Sequence, residues 1–301
     1  MEITAVGSVA LDTIETPSQK KMADILGGSG SFFACCARYF VPVRLVSVIG
    51  ADFPDKYIKF FEKRGIDVNG IEKTGERTFR WHGRYYGSMD KRETISVEAQ
   101  CLENAKPTLP DYYRDSKYVF LGNCSPDLQL HVLKQVKKPK LVLTDTMDLW
   151  IGKDLKCLRE VLRSTDILLL NDSEAEILSG EPNLLNAAVK ISKMGPNIVV
   201  IKKGSHGVLL YAHKQFIALP ALPIHNVIDT TGAGDSFAGG FAGSLAHSGS
   251  LTINSLKKAL VYGTIIAQFT ITGFGLTSLQ KLTKTQINKK YNDYCRMLRI
   301  N

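Results

Sequence analysis

Short apolar runs at residues 44–49, 118–122, 141–144, 167–170 and 198–201 constrain this chain most. Each is about strand length, and helix-like segments separate several of them. A strand with one wet face alternates apolar and polar residues, whereas a continuous run suits a strand covered on both faces. Strands of that kind, alternating with helices, predict an α/β fold: a mainly parallel sheet flanked by helices. Residues 3–10 read as a further strand, and residues 30–40 and 53–64 as helices. In such a sheet, ligands gather at the carboxyl ends of the strands. The 301 residues are enough for one large core and are read as one domain over 1–301.

Residues 78–99 break this rhythm. They are rich in aromatic residues, Thr and charge, with partial alternation, and predict short antiparallel strands outside the main domain. A surface hairpin is one reading and a β lid over a binding site is the other. If 78–86 is a strand, Arg80 and Arg84 share one face with Thr78 and His82. An inward-facing pair of that kind would suit a substrate that already carries a phosphate.

The most specific chemistry lies in Asp229-Thr230-Thr231-Gly232-Ala233-Gly234-Asp235-Ser236-Phe237-Ala238-Gly239-Gly240. Two carboxylates bracket a Gly-Ala-Gly turn, and a helix-forming run of small and apolar residues follows. The turn needs glycine for conformational freedom. The helix start presents unpaired N–H groups that attract anions, phosphate above all. Asp235 falls in the first turn, beside that anion hole. A base next to a phosphoryl cradle suits phosphoryl transfer to an alcohol. The plainer alternative is a glycine turn whose aspartate favours the helix N-terminus.

This stretch resembles the second signature of the ribokinase-like (PfkB) carbohydrate kinases without a mismatch, and other landmarks follow in family order. The resemblance implies that Asp235 is the catalytic base and that Gly232, Ala233 and Gly234 form the anion hole. Asn171-Asp172-Ser173-Glu174 looks like the family's Asn-x-x-Glu motif. It implies that Glu174 helps place Mg²⁺ through water and that Asn171 meets the nucleotide phosphates. Asn with Glu three residues later is also a capping box, and the two roles are compatible. Lys202-Lys203-Gly204-Ser205-His206-Gly207 is similar to the family's nucleotide loop, with Gly204 and Gly207 in place. Ribokinases usually carry a small hydroxyl residue where Lys202 stands, so a cation beside the ATP phosphates is a departure to follow. A plain hairpin loop is the alternative. Gly273 falls in the stretch that closes the adenine pocket in the family. Asp229, Thr231, Gly273 and Thr277 are candidates around a monovalent cation such as K⁺.

On the acceptor side the resemblance implies Asp12, Gly28, Ser29 and Asn123. A carboxylate such as Asp12 accepts two hydroxyl hydrogen bonds, which suits a diol. The pattern departs at Phe32, where ribokinases and adenosine kinases have a sugar-binding Asn. The expected reaction is ATP-dependent phosphorylation of a small polyol, a sugar or sugar phosphate. The alternatives are a nucleoside kinase, with Trp81, Tyr85 and Tyr86 available for stacking, and a non-catalytic sugar- or nucleotide-sensing protein.

Other classes lack support. The formal charge is +9, but the Lys and Arg are spread along the chain, with no basic-aromatic repeat, so no nucleic-acid partner is expected. There is no apolar run long enough for a membrane span. The start lacks signal-peptide character, and the six cysteines form no C-x-x-C pair, so a reducing cytoplasm is expected. A homodimer is among the expected assemblies. There is no G-x-x-x-x-G-K-[ST], H-R-D or G-x-S-x-G, which excludes P-loop, protein-kinase and hydrolase designs.

Overall fold

The computed structural model describes residues 1–299 except 19, 88, 90 and 104. In chain order the elements are β1 Ile3–Val6, β2 Ala10–Glu15, β3 Lys21–Gly27, α1 Ser29–Ala37, β4 Val43–Ile49, α2 Asp55–Glu62, β5 Ile66–Lys73, β6 Arg80–Tyr86 and β7 Lys91–Glu98. Then come β8 Tyr118–Leu121, α3 Pro126–Leu133, β9 Leu141–Asp145, α4 Asp148–Lys153, α5 Leu155–Arg163, β10 Ile167–Asn171, α6 Asp172–Ser179, α7 Leu184–Ser192 and β11 Ile198–Lys202. The last are β12 Val208–Ala212, β13 Gln215–Leu219, α8 Ala233–Ser248, α9 Ile253–Thr270, α10 Thr277–Gln280 and α11 Lys284–Met297.

The apolar runs form the middle of a nine-stranded sheet ordered β13-β12-β11-β10-β9-β8-β1-β4-β5. The strands from β11 through β5 pair in parallel, and the β12–β13 hairpin adds antiparallel strands at one edge. Successive side chains of β10 enter different cores. Ile167 and Leu169 pack with α1, α8 and α9, while Leu168 and Leu170 pack with α5, α6 and α7. Both faces are therefore covered, which is why these strands read as unbroken apolar runs.

Helix α8 is buried almost all round, from Ser236 through Ala246. Its glycines permit close helix approach. A methyl on Gly239 would sit 2.6 Å from the Phe33 carbonyl oxygen, and one on Gly240 would sit 2.9 Å from that of Tyr262. This fixes α8 against α1 and α9, and so fixes the turn at its start.

The chain reverses its direction of strand addition between β1 and β8. β4 and β5 extend one side of β1, and β8 to β11 extend the other. Open α/β sheets bind ligands at such a switch, outside the strand carboxyl ends. The expected strand over 3–10 divides at Gly7, where a methyl would meet the Gly30 amide nitrogen at 2.6 Å. Its continuation, β2, joins a second sheet ordered β3-β2-β6-β7. β2 pairs antiparallel with β3 and parallel with β6, and β6 pairs antiparallel with β7. The small sheet thus uses residues 10–15 and 21–27 as well as most of the expected 78–99 segment. Positions 88 and 90 of that segment lie outside the described residues.

Candidate active site

The turn before α8 is built as its sequence demands. Gly232 adopts φ 73°, and a methyl there would be driven 2.4 Å from the Phe32 ring. Phe32, 1% exposed, therefore supports the turn from beneath. Among the described residues no side chain caps α8. Among the described residues, the Gly234 amide has no backbone acceptor, whereas the Ala233 amide donates to the Thr230 carbonyl at 3.2 Å. An unpaired amide at a helix start, beside a carboxylate, makes a compact anion cradle.

Asp235 lies half-buried in that first turn. Burial raises its carboxyl to about 6; Asp145 adds to the rise, while Lys202 and Arg92 oppose it. A carboxyl tuned to about 6 is ionised at neutral pH yet basic enough to accept a hydroxyl proton as the bond forms.

Three neighbouring strand ends deliver the next groups. β9 ends on Asp145, β10 on Asn171 and β11 on Lys202. Lys202 Nζ donates to Asp145 Oδ2 at 2.7 Å. Burial alone would lower the Lys202 pKa, but Asp145, Glu174 and Asp235 outweigh it and the net shift is upward. A methyl on Gly234 would lie 3.2 Å from Lys202 Nζ. The cation therefore stands over the anion cradle.

Asn171 and Glu174 form a capping box on α6. Asn171 Oδ1 accepts the Glu174 amide at 2.8 Å, and Glu174 Oε2 accepts the Asn171 amide at 2.7 Å. Glu174 Oε1 makes no hydrogen bond among the described residues. Glu174 is 6% exposed, and burial pushes its carboxyl up to about 7; Lys202 opposes this and Asp145 adds to it. Among the described residues no group of three or more His, Cys, Asp or Glu side chains could hold a metal ion. Glu174 Oε1, without a partner among the described residues, is the carboxylate oxygen there that could meet a hydrated Mg²⁺.

Of the residues expected on the acceptor side, Asp12 is 4% exposed at the start of the small sheet. Burial, then Asp229 and Asp235, push its carboxyl up to about 8; the Gly28 amide, donating to it, offsets only part. Gly27 and Gly28 allow the close approach: a methyl on Gly27 would fall 1.9 Å from Asp12 Oδ2. Ser29 is engaged internally. Its hydroxyl donates to the Asn123 carbonyl at 3.0 Å, accepts the Ser8 amide at 3.1 Å, and lies 3.3 Å from Ser8 Oγ. Asn123 is also engaged at both ends of its amide. Oδ1 accepts from Trp150 Nε1 at 2.9 Å, and Nδ2 donates to Met147 Sδ at 3.1 Å. These two residues brace the strand ends.

Gly204 and Gly207 take φ 53° and 87° in the loop from β11 to β12, closed by the Lys203 amide donating to the Gly207 carbonyl at 2.8 Å. Asp229 is 1% exposed. Its Oδ1 accepts the Thr231 amide at 2.8 Å and its Oδ2 the Gly275 amide at 2.9 Å. It thus ties the Gly-Ala-Gly turn to the stretch containing Gly273 and Thr277. Thr277 Oγ1 donates to the Phe274 carbonyl at 2.7 Å. A monovalent cation here would depend on backbone carbonyls.

The small sheet touches the turn directly. Tyr85 OH lies 2.8 Å from Thr231 Oγ1, and Thr230 Oγ1 donates to the Met89 carbonyl at 3.0 Å. Ile14, Tyr85 and Met89 pack there with Val227 and Phe274. Three arginines in and beside the small sheet are already paired. Arg80 meets Asp52 at 2.7 Å and Asp24 at 3.4 Å; Arg84 meets Glu15 at 2.7 Å; Arg77 meets Glu98 at 2.8 Å. The face bearing Arg80 and Arg84 is therefore matched with carboxylates rather than open to a phosphate. Arg92 instead adds its field to Asp235.

Asp145 is the site residue that the sequence reading missed; its one signal was positional, as a carboxylate directly after an apolar run. Tyr85 was expected only as a stacking residue, and its contact with Thr231 is new.

Known proteins fit this arrangement. Residues 2–282 match the pfkB family of carbohydrate kinases. The chain is 34% identical over 303 residues to deoxyribokinase of Salmonella typhi, spanning 92% of this chain and 95% of that protein. It is 29% identical over 248 residues to cytidine kinase of Thermococcus kodakarensis, spanning 80% and 87%. The solved structure of Arabidopsis thaliana ribokinase with ribose and ATP shares its fold at a TM-score of 0.78 and 23% identity, over 96% and 98% of the two chains. This chain belongs to the PfkB family of carbohydrate kinases, phosphotransferases acting on a sugar or nucleoside hydroxyl.

Proposed function

We propose that this protein transfers the terminal phosphoryl group of ATP to a hydroxyl of a small sugar or nucleoside that carries no phosphate of its own. The observation that carries the reading is Asp235, raised to about 6, in the first turn of α8 beside the unpaired Gly234 amide. Asp235 takes the hydroxyl proton, and the unpaired Gly234 amide of the Gly232–Gly234 turn donates to the transferring phosphoryl group. Mg²⁺, when bound with ATP, neutralises phosphate charge, and Glu174 would hold it through water. Asn171, Gly204, Gly207 and Gly273 border the nucleotide side. The loop pair of residues 229–231 and 273–277 is where a K⁺ ion would be held.

Asp12 supports a polyol acceptor. Its buried carboxyl receives no side-chain hydrogen bond among the described residues, so a vicinal diol would supply the missing partners. The paired state of Arg80 and Arg84 weighs against a sugar phosphate. Phe32, packed beneath Gly232, takes the place of the sugar-binding Asn of ribokinases, so acceptor contacts differ from theirs. A nucleoside is the second reading, favoured by Trp81, which packs with Tyr85 in the small sheet at a ring separation of 6.3 Å. Retention of both the base and the cradle argues against a purely sensing protein.

The test is a coupled ADP-release screen with 2-deoxyribose, ribose, cytidine, adenosine and their 5′-phosphates. The reading expects turnover on an unphosphorylated member. Turnover confined to the phosphates would reverse the acceptor assignment, and none at all would leave the sensing alternative.

A further inference from the structure

We propose that Lys202 is a further catalytic residue, whose ammonium contacts the phosphoryl group during transfer, and that Asp145 is its positioning residue. This rests on the phosphotransferase reading above and adds a group to it.

Lys202 is the last residue of β11, in register with Asn171 on β10. Its side chain is 17% exposed, and it reaches Asp145 at the end of β9, whose side chain is 4% exposed. Asp145 is itself held, because its Oδ1 accepts the Thr146 amide at 2.9 Å. An ammonium has three donors. One goes to Asp145 Oδ2, and among the described residues the other two have no hydrogen-bond partner. Nζ lies 3.2 Å from the point where a Gly234 methyl would be. A side chain at position 234 would fill the space between the cation and the cradle, which gives that glycine a second reason beyond the turn. The unused donors thus stand beside the unpaired Gly234 amide and one residue from the base.

A merely structural ion pair does not need to lie there. A cation over the cradle does the work of an added oxyanion-hole donor, fixed before the reaction begins. In the step itself, the acceptor hydroxyl oxygen bonds to the γ-phosphorus while the bond from phosphorus to the β,γ-bridging oxygen breaks. ADP leaves with that electron pair, and the hydroxyl proton passes to Asp235. Lys202 keeps its protons throughout and offsets charge on the phosphoryl oxygens.

The test compares Lys202→Met and the wild type in two measurements. Calorimetric binding of Mg·AMP-PNP and Mg·ADP requires no acceptor. The proposal expects Lys202→Met to weaken AMP-PNP about 10-fold or more, the scale of a charge-assisted hydrogen bond, with ADP much less affected. Equal losses for both nucleotides, or no loss, would overturn it. With the acceptor found by the screen, kcat should fall about 10²–10³-fold at nearly constant acceptor KM. Methylammonium should restore part of the rate to Lys202→Ala, which loss of a packing contact would not allow. Unchanged kcat in a folded variant would also overturn the proposal. If removing the cation unfolds the protein by stranding Asp145, the double variant Lys202→Met/Asp145→Asn removes the unpaired charge and the same binding comparison decides. Should the wild type phosphorylate nothing in the panel, the reaction assigned above fails, while the AMP-PNP and ADP affinities still judge Lys202.

Discussion

Replacing Asp12 with Asn should stabilise the protein at neutral pH while weakening acceptor binding. Asp12 is raised from 3.8 to about 8, first by burial and then by Asp229 and Asp235. Across that interval the folded chain holds a proton that the unfolded chain has released. Stability therefore falls as pH rises from about 4 to about 8. Each unit of pKa difference corresponds to about 1.4 kcal/mol, so moving from pH 4 to pH 7 removes ~4 kcal/mol through this one group. Asn has nearly the same shape and fits beside Gly27, where there is no room to spare. It carries no ionisation to suppress. Urea unfolding of both proteins at pH 4, 5, 6 and 7 reads the effect. The gap between Asp12→Asn and wild type should widen in favour of the variant by ~4 kcal/mol over that range. Parallel stability profiles, with no widening, would refute the assignment of a strained, buried acid at position 12. A loss of acceptor affinity in the same variant would mark the familiar trade of stability for function.

Other consequences follow from the same geometry. Glu174→Gln should raise the Mg²⁺ concentration for half-maximal rate while the melting temperature at neutral pH holds or rises, since Gln can still accept the Asn171 amide and carries no buried acid to ionise; a fall in melting temperature with an unmoved Mg²⁺ curve would leave the capping box as its whole role. Hydrogen exchange across residues 78–99 should slow on adding acceptor, and less with nucleotide alone; unchanged exchange at saturation would make the small sheet a plain surface feature. Tyr85→Phe removes a hydrogen bond to Thr231 of about 1 kcal/mol, so exchange there should quicken several-fold. Turnover should decline as pH falls through about 6, where Asp235 takes up a proton; a flat profile from pH 5 to 8 would contradict its role.

The middle of the large sheet was legible because burial on both faces writes itself as unbroken apolar runs. β8 to β11 begin within a residue of where those runs begin. β5 was not legible, since Ile66–Lys73 is an edge strand carrying Asp, Asn, Glu and Lys among its apolar residues. β2 was absorbed into the run before it, because nothing local marks residues 10–15 as belonging to another sheet. β3 begins with exposed Lys21, Met22, Ala23 and Asp24, and no period separates it from a loop. In the site, the proposed base and cradle are contiguous in sequence and could be read together. The Lys202–Asp145 pair spans 57 positions, and the Tyr85–Thr231 contact spans 146. Such pairs exist only once the strand ends are aligned. The resemblance supplied the proposed roles of Asn171 and Glu174, and the structure adds the internal hydrogen bonds that occupy Ser29 and Asn123.

The most direct measurement of the central claim is single-turnover phosphoryl transfer by Asp235→Asn, alongside its affinity for Mg·ATP. A general base at this position predicts a rate lower by about 10²–10⁴ with nucleotide affinity nearly intact. A folded Asp235→Asn protein that transfers phosphate at close to the wild-type rate would contradict the account.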